Sequence, residues 1–141
     1  PSMMSGYFNL PEVTKKKLYK GWYHSGDLAR IDEDGYIWIA DRVDDMIISG
    51  AENLYPREVE DALFEHPDVL DVAVIGRPDA KWGKIVTAFV VAKSIDLSAE
   101  TLDSFLKNSG HLAAYKRPRQ YEFVTELPKT PSGKVQKFKL K

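Results

Sequence analysis

Lys134 stands in a loop, LPKTPSGK, whose composition suits contact with an anion. A phosphate loop of the Walker type would need a glycine five residues before Gly133 and a Ser or Thr after the lysine. Pro128 and Val135 occupy these positions, so this motif is excluded. The lysine is then either a solvated loop residue or a mobile ammonium that meets developing negative charge as a point charge.

Asp27 ends the tetrapeptide HSGD and directly precedes an apolar run. An acidic residue at the entrance to a strand can accept two hydrogen bonds from a vicinal diol such as a ribose. The alternative is a turn aspartate that satisfies nearby backbone amides. The local spacing is consistent with both interpretations.

Arg42 lies in the charge run DRVDD with three aspartates. Such a run is commonly a solvated surface cluster, in which an isolated exposed ion pair contributes only about 0–1 kcal/mol. It is also what a hinge requires, because a pivoting backbone needs hydrated side chains that do not pack. The three aspartates are Asp41, Asp44 and Asp45.

Two aromatic residues and one glycine-containing loop are further candidates for ligand contact. Trp82 in KWGK and Tyr115 in AYKRP are each typical of packing positions, yet an aromatic ring beside cations also suits stacking on a base while a guanidinium meets phosphate. Gly50–Ala51 in ISGAEN is either a plain loop or a place where a slender ligand approaches the backbone. The cations near Tyr115 are Lys116, Arg117 and Arg119.

The overall charge is close to zero, but it is unevenly distributed. The chain has 141 residues, with 20 Lys and Arg against 21 Asp and Glu. Residues 1–109 carry 12 basic and 19 acidic side chains, a net charge of −7, whereas residues 110–141 carry 8 and 2, a net charge of +6. An anionic ligand is therefore expected to meet the C-terminal segment.

The composition also excludes several classes of protein. A hydrophobic share of 43% with 29% charged residues is typical of a globular chain, not of a disordered or collagen-like one. The absence of cysteine excludes disulfides, thiolate metal sites and cysteine nucleophiles, and it fits a reducing compartment. No apolar stretch approaches the roughly 20 residues that span a bilayer. We therefore expect a cytoplasmic protein without a transmembrane segment.

The elements that must position these residues fall into two groups. Before Arg42 the pattern predicts a weak helix and then a β-hairpin around the turn DEDG. From Asp45 onward, β-branched runs alternate with two amphipathic helices, which indicates a small α+β or α/β domain. The predicted elements are a helix over residues 11–19, strands over 28–31 and 36–40, a helix over 56–66, strands over 69–76 and 85–92, a helix capped by Ser98 that ends near residues 108–110, and a strand over 121–124.

Five segments in order closely resemble the C-terminal part of the adenylate-forming enzymes, the superfamily of acyl-CoA and aryl-CoA synthetases, peptide-synthetase adenylation domains and firefly luciferase. The resemblance covers nearly the whole chain, and DMIISGAENLYPREVE with VIGRPD and WG is similar to acyl-CoA or aryl-CoA ligases. The five segments are GYFNLPEVT, KGWYHSGDLARIDEDGYIWIADRVDDMIISGAENLYPREVE, HPDVLDVAVIGRPDAKWGK, AYKRP and LPKTPSGKV.

The resemblance implies a reaction in two halves and a role for each candidate residue. A carboxylic acid attacks ATP to give acyl-AMP, and the thiol of CoA then displaces AMP. Lys134 resembles the catalytic lysine of the first half, and Asp27 and Arg42 resemble the residues that bind the nucleotide. Asp44 resembles the hinge. Gly50, Ala51 and Glu52 belong to the loop, residues 50–53, that would line the pantetheine tunnel, and Trp82, Tyr115 and Arg117 match positions near the CoA nucleotide.

The resemblance also implies the organisation and the partners. Residues 1–43 would be the remnant of a large N-terminal adenylating domain, residue 44 the hinge, and residues 45–141 a small mobile α+β domain with a short mixed sheet flanked by helices. Carboxylic acid, ATP and CoA would be the partners, with no nucleic acid. The Mg²⁺ ligand, the ATP loop and the acyl pocket would lie upstream, so the chain alone is expected to be inactive; the oligomeric state stays open.

Two other functions remain open from the sequence. One is an amino-acid adenylation domain that serves a carrier protein; a peptide-synthetase domain tends to have a basic stretch where this chain has ISGAEN. The other is a non-catalytic module that binds a nucleotide or a partner through its basic tail. Salt dependence would distinguish the module, because phosphate-driven binding of nucleic acid falls steeply with salt.

Overall fold

The computed structural model describes residues 3–140. Internal contacts divide the chain into two units, one that ends at Asp44 and one that begins at Asp45. Each unit is described below by itself.

The first unit contains one short helix and two small antiparallel hairpins. Helix α1 spans Pro11–Lys17, with proline in its first turn, where the missing N–H costs nothing. Strands β1 (Leu18–Tyr19) and β2 (Trp22–Tyr23) form the first hairpin, which the sequence analysis does not predict. Strands β3 (Asp27–Ile31) and β4 (Ile37–Arg42) form the second, which confirms the predicted hairpin with slightly different bounds.

The turn of the second hairpin explains its register. The Asp32 Oδ1 atom accepts hydrogen bonds from the N–H groups of Asp34 and Tyr36, at 3.1 and 2.8 Å. The other carboxylate oxygen accepts the indole N–H of Trp38, which holds the pKa of Asp32 below its ordinary value. The Asp32 carboxylate fixes the turn, and a β-bulge between Leu28 and Ala29 then shifts the pairing by one residue, so that Asp27 lies opposite Arg42.

The second unit begins with a hairpin that the sequence analysis treats as an apolar run and a loop. Strands β5 (Ile47–Ser49) and β6 (Glu52–Leu54) pair antiparallel, and Ile47 and Leu54 are buried. Helix α2 (Pro56–Phe64) follows, with proline in its first turn and Val59 and Leu63 facing the core, as predicted. The prediction extended this helix to residue 66, but it ends two residues earlier.

A three-stranded mixed sheet forms the centre of the second unit. Strand β7 (Val69–Asp79) pairs antiparallel with β8 (Gly83–Ala92), and β8 pairs parallel with β9 (Gln120–Phe123). The expected loop RPDAKWGK is shorter than predicted, because pairing continues to Asp79 opposite Gly83. Between β8 and β9 the chain crosses through helix α3 (Ala99–Ser109), which Ser98 caps by accepting the N–H of Thr101, as expected.

The two faces of the sheet are covered differently. One face packs against α2 and α3 through alternating valines of β7 and β8, together with Leu102 and Leu106. The opposite face is covered by the C-terminal segment through Leu127, Val135 and Leu140. The expectation of a short mixed sheet in an α+β domain is therefore confirmed, although the helices cover a single face. Within residues 3–140, no helix is both long and apolar enough to cross a membrane.

Candidate functional site

Asp27 and Arg42 form an ion pair across the second hairpin of the first unit. They face each other in the register, and the Arg42 Nε atom lies 3.3 Å from the Asp27 Oδ1 atom. The turn itself is satisfied otherwise, since Ser25 Oγ accepts the Asp27 N–H at 3.1 Å and the Gly26 carbonyl accepts the Val43 N–H at 2.8 Å. The carboxylate of Asp27 is thus oriented by a cation and is not used in the turn.

A cavity of about 500 Å³ lies beside this pair and is lined by Lys17, His24, Asp27 and Asp44, among others. Gly26 has a positive φ of 84°, and a Cβ placed there would lie 2.9 Å from Lys17 Nζ and 3.6 Å from Arg42 Nη2. Any other residue would be strained there, and its Cβ would displace the Lys17 ammonium, while the contact with Arg42 would be an ordinary van der Waals one. The Asp27 carboxylate with Arg42 beside it, and the Lys17 ammonium next to Gly26, form a donor and acceptor set that fits a phosphate next to a ribose diol.

Lys134 lies in the second unit at the end of a tight turn. The Thr130 N–H donates to the Lys134 carbonyl at 2.8 Å, and the Gly133 N–H donates to the Thr130 carbonyl at 2.9 Å. Gly133 has a φ of 82°, which favours glycine there. The side chain of Lys134 is exposed, and among residues 3–140 its ammonium has no carboxylate partner. It is therefore a cation presented to solvent on a defined turn.

Gly50 and Trp82 come together at the tip of the β5–β6 hairpin. The Gly50 N–H donates to the Trp82 carbonyl at 2.9 Å, and a Cβ on Gly50 would lie 3.4 Å from the indole ring. The φ of Gly50 is 64°, so the tight turn also requires glycine. Ala51 and Glu52 are exposed beside it, and Glu52 pairs with Ser49 as the first residue of β6.

Arg119 contacts Trp82, and the sequence does not predict this contact. Its guanidinium lies 4.5 Å from the centroid of the Trp82 ring, in the geometry of a cation–π contact. The Arg119 N–H donates to the Val86 carbonyl in β8, so the parallel entry of β9 brings the arginine beside the β7–β8 turn. The basic run after Tyr115 marks Arg119 as a candidate for ligand contact in the sequence. Its contact with a tryptophan 37 positions away depends on the crossover from β8 to β9 through α3, which the sequence does not reveal.

Tyr115 and Arg117 differ in how much of their side chains is free for a ligand. Arg117 Nη1 donates to Asp103 on α3 at 2.8 Å, and only 20% of its side chain is exposed. Lys107 and then Arg117 hold the pKa of Asp103 below its ordinary value. The Tyr115 ring is half exposed. The structure therefore shows Arg117 bound within the unit, while Arg119 extends over Trp82.

Lys116 is also held within the second unit. Its ammonium lies 2.6 Å from Glu58 Oε1 and 2.7 Å from Glu58 Oε2, and these hydrogen bonds raise its pKa above the ordinary value. Of the three cations at positions 116, 117 and 119, Arg119 is the one without a carboxylate partner in the described part of the chain.

No metal centre is apparent within residues 3–140. In this range no group of three or more His, Asp or Glu side chains is arranged to hold a metal ion. Asp27 and Asp103 are instead bound by cations, Asp27 by Arg42 and Asp103 by Arg117. These residues do not fit a magnesium site, and no step below passes through a metal.

The chain matches one family model and many known proteins. The model described as the AMP-binding enzyme C-terminal domain matches residues 58–134. A long-chain-fatty-acid–CoA ligase of Bacillus subtilis (strain 168) is 47% identical over 141 residues, which covers 99% of this chain and 25% of that protein. A fatty acid–[acyl-carrier-protein] ligase of Streptomyces coeruleorubidus is 43% identical over 142 residues, 100% of this chain and 27% of that protein.

A solved structure of a CoA synthetase is also similar to this chain. The o-succinylbenzoate CoA synthetase of Bacillus subtilis, solved with its acyl-adenylate intermediate, superposes with a TM-score of 0.89 at 38% identity, over 99% of this chain and 28% of that one. The chain thus spans about a quarter of the length of the relatives that it matches.

Proposed function

The chain belongs to the AMP-binding enzyme C-terminal domain family, and from this premise we propose that it is the C-terminal portion of an ATP-dependent, AMP-forming acyl-CoA ligase for a fatty or aromatic acid. The observation that carries the proposal is the match over residues 58–134, which includes Trp82, Arg119 and the exposed Lys134. The relatives named above, a long-chain-fatty-acid–CoA ligase and an o-succinylbenzoate CoA synthetase, support the reaction class.

Lys134 is the residue proposed to act in the first half-reaction. A carboxylate oxygen of the acid bonds to the α-phosphorus of ATP, and the bond to pyrophosphate breaks. Negative charge is then shared between the carboxylate and the phosphoryl oxygens. An ammonium placed beside both anions stabilises this distribution, and a dry site makes the effect larger than in water.

Asp27 and Arg42 are proposed to bind the nucleotide of the same reaction. The Asp27 carboxylate accepts the ribose hydroxyls, and Arg42 both orients it and offers N–H donors. The ion pair at 3.3 Å and the adjoining cavity of about 500 Å³ support this role. ATP and AMP are thus expected to bind at the first unit through residues that this chain supplies.

Asp44 is proposed as the hinge between the two half-reactions. It lies in the short 3₁₀ turn Val43–Asp45, its side chain is exposed, and the boundary between the units falls directly after it. On this proposal residues 1–43 are the end of a large adenylating domain and residues 45–141 the small mobile one. Rotation removes Lys134 and brings the hairpin tip at Gly50 to the reacting centre for the attack by CoA.

Trp82 and Arg119 are proposed to contact the CoA nucleotide, with weaker participation of Tyr115 and Arg117. A tryptophan face with an arginine above it suits an adenine and a phosphate. Arg119→Ala is expected to raise the KM for CoA about tenfold, the value of one hydrogen bond to a charged group, with adenylation unchanged. Arg117→Ala should raise it less, because Asp103 already binds that guanidinium. Steady-state kinetics with CoA varied measures both, and an unchanged KM in Arg119→Ala contradicts this assignment.

The rest of the ligase is proposed to lie in the part of the longer protein that precedes this chain. The magnesium ligand, the ATP loop and the acyl pocket are assigned there, so this chain alone is expected to be inactive. The mass of the native gene product checks this assignment, since the relatives are about four times as long as the chain.

A carrier protein in place of CoA is the second candidate acceptor. The similarity to a fatty acid–[acyl-carrier-protein] ligase favours it. The test offers the full-length gene product a fatty or aromatic acid with ATP and either free CoA or a phosphopantetheinyl carrier domain. We expect the thioester to form on CoA, and transfer to the carrier domain alone would contradict the CoA assignment.

A further inference from the structure

Two ion pairs bind the loop of Lys134 to the body of the second unit, one on each side of the lysine. Before it in the chain, Lys129 Nζ lies 2.5 Å from Asp71 Oδ2 in β7. After it, Lys137 Nζ lies 2.8 Å from Glu60 Oε1 in α2. The loop that projects Lys134 is therefore attached at both ends to elements far away in sequence.

Glu60 makes a second contact that explains its position. Its Oε1 atom also accepts the backbone N–H of Val74 at 2.7 Å. Val74 lies in β7, an edge strand of the sheet, so Glu60 satisfies an N–H that no neighbouring strand accepts. The same oxygen thus joins helix α2, the edge strand and Lys137.

The Glu60–Lys137 pair is more sheltered than most ion pairs of the chain. The two side chains are 19% and 18% exposed, whereas those of Asp61 and Arg57 on the same helix are 72% and 61% exposed. Exposed pairs are weakened by water and salt, and sheltered pairs less so. The Glu60–Lys137 pair is thus expected to restrain the loop of Lys134, whereas the Arg57–Asp61 pair is not expected to restrain any segment.

The base of the loop is also packed and paired. Leu127 and Val135 pack on the sheet face of Ala73, Ile75 and Phe89, and Lys129 forms an antiparallel bridge with Val135. Apolar contacts hold the base against the sheet, but they are not directional. The two ion pairs at the β7 edge supply the directional restraint on where residues 130–134 project.

We propose, on the basis of the function assigned above, that Glu60 and Asp71 are positioning residues for Lys134. A lysine is a point charge on a flexible four-carbon stem, so the placement of its ammonium depends on its backbone being held. Misplacement of a reacting group by about 1 Å can cost about 100-fold in rate. The formation of acyl-AMP therefore depends on these two carboxylates, and the later transfer to CoA does not.

Glu60→Gln separates this role from a purely structural one. The glutamine keeps an oxygen that accepts the Val74 N–H but removes the charge that binds Lys137. In the full-length gene product, kcat for acyl-AMP formation should fall about tenfold with the KM for ATP unchanged, because placement and not binding is lost. Transfer from supplied acyl-AMP to CoA should stay within about twofold, as for a neutral surface change.

The partner residue and a neighbouring residue provide the controls. Lys137→Ala should lower acyl-AMP formation as Glu60→Gln does, whereas Lys137→Arg, which keeps the positive charge, should retain it. The Glu60→Gln/Lys137→Ala double variant should lose no more acyl-AMP formation than either single variant. Asp61 is adjacent to Glu60 and belongs to the exposed pair with Arg57. Asp61→Asn also removes one negative charge, and it should leave both half-reactions unchanged. An equal fall of both half-reactions in Glu60→Gln, or no fall in either, overturns the positioning role.

Trypsin provides a measurement that does not depend on the reaction. Mass spectrometry would follow the new C-terminus formed at Lys134 in the full-length gene product. Cleavage there should be several-fold faster in Glu60→Gln than in the wild type or in Asp61→Asn, because the loop is released; equal rates overturn the anchor itself. If Lys134→Ala leaves acyl-AMP formation intact, the role proposed for Lys134 fails whatever the cleavage rates, and if the wild type forms no acyl-AMP, the proposed function fails.

Discussion

Lys134→Ala in the full-length gene product is expected to lower acyl-AMP formation by about 100- to 1,000-fold, the cost of removing one preorganised group that stabilises developing charge. The structure presents this ammonium on a turn fixed by Thr130 and Gly133, without a carboxylate partner in the described chain. Within residues 3–140, no ion pair has to break before this ammonium meets the substrate.

Pyrophosphate exchange measures the first half-reaction, and the thioester formed from supplied acyl-AMP and CoA measures the second. The second should survive in Lys134→Ala, because the proposed rotation removes the lysine from the reacting centre before CoA attacks. Lys139→Ala provides a control, since Lys139 is also an exposed lysine of the C-terminal segment. An equal loss in both half-reactions would show that Lys134 does not have the assigned role.

Asp44→Pro should produce the opposite separation of the two half-reactions. Proline fixes φ near −65° and disfavours the α region for Val43, so the turn Val43–Asp45 can no longer change its conformation freely. Transfer to CoA should fall by about 100-fold, the scale of a misplaced reacting group, while acyl-AMP formation falls far less.

Asp44→Ala removes the same side chain but leaves the backbone free, and it is the matched control. Both variants are assayed for pyrophosphate exchange and for overall thioester formation. Turnover in Asp44→Pro equal to that of Asp44→Ala would remove the hinge from the account.

The sequence predicts the local structure around a candidate residue correctly where its partners are near in sequence. The turn DEDG predicts the β3–β4 hairpin, and the hairpin sets Asp27 opposite Arg42. Ser98 caps α3 and Gly110 ends it with a φ of 67°, because both signals are local. The β-branched runs of β7 and β8 likewise carry their own pattern.

The contacts that long-range topology creates were not accessible from the sequence. Strands β5 and β6 have three residues each, too few for a periodic signal. The parallel pairing of β9 with β8 places Arg119 over Trp82, and the return of the C-terminal segment joins Lys129 to Asp71. The ion pair between Arg117 and Asp103 on α3 is likewise a long-range contact that the basic run AYKRP does not reveal.

The central claim is that the longer protein activates a carboxylic acid through AMP and transfers it to CoA. The most direct measurement incubates the full-length gene product with ATP, CoA and a panel of fatty and aromatic acids, and quantifies nucleotides and thioesters by mass spectrometry. We predict AMP, pyrophosphate and acyl-CoA in equal amounts for at least one acid. ADP and inorganic phosphate as the products that accompany the thioester would contradict it.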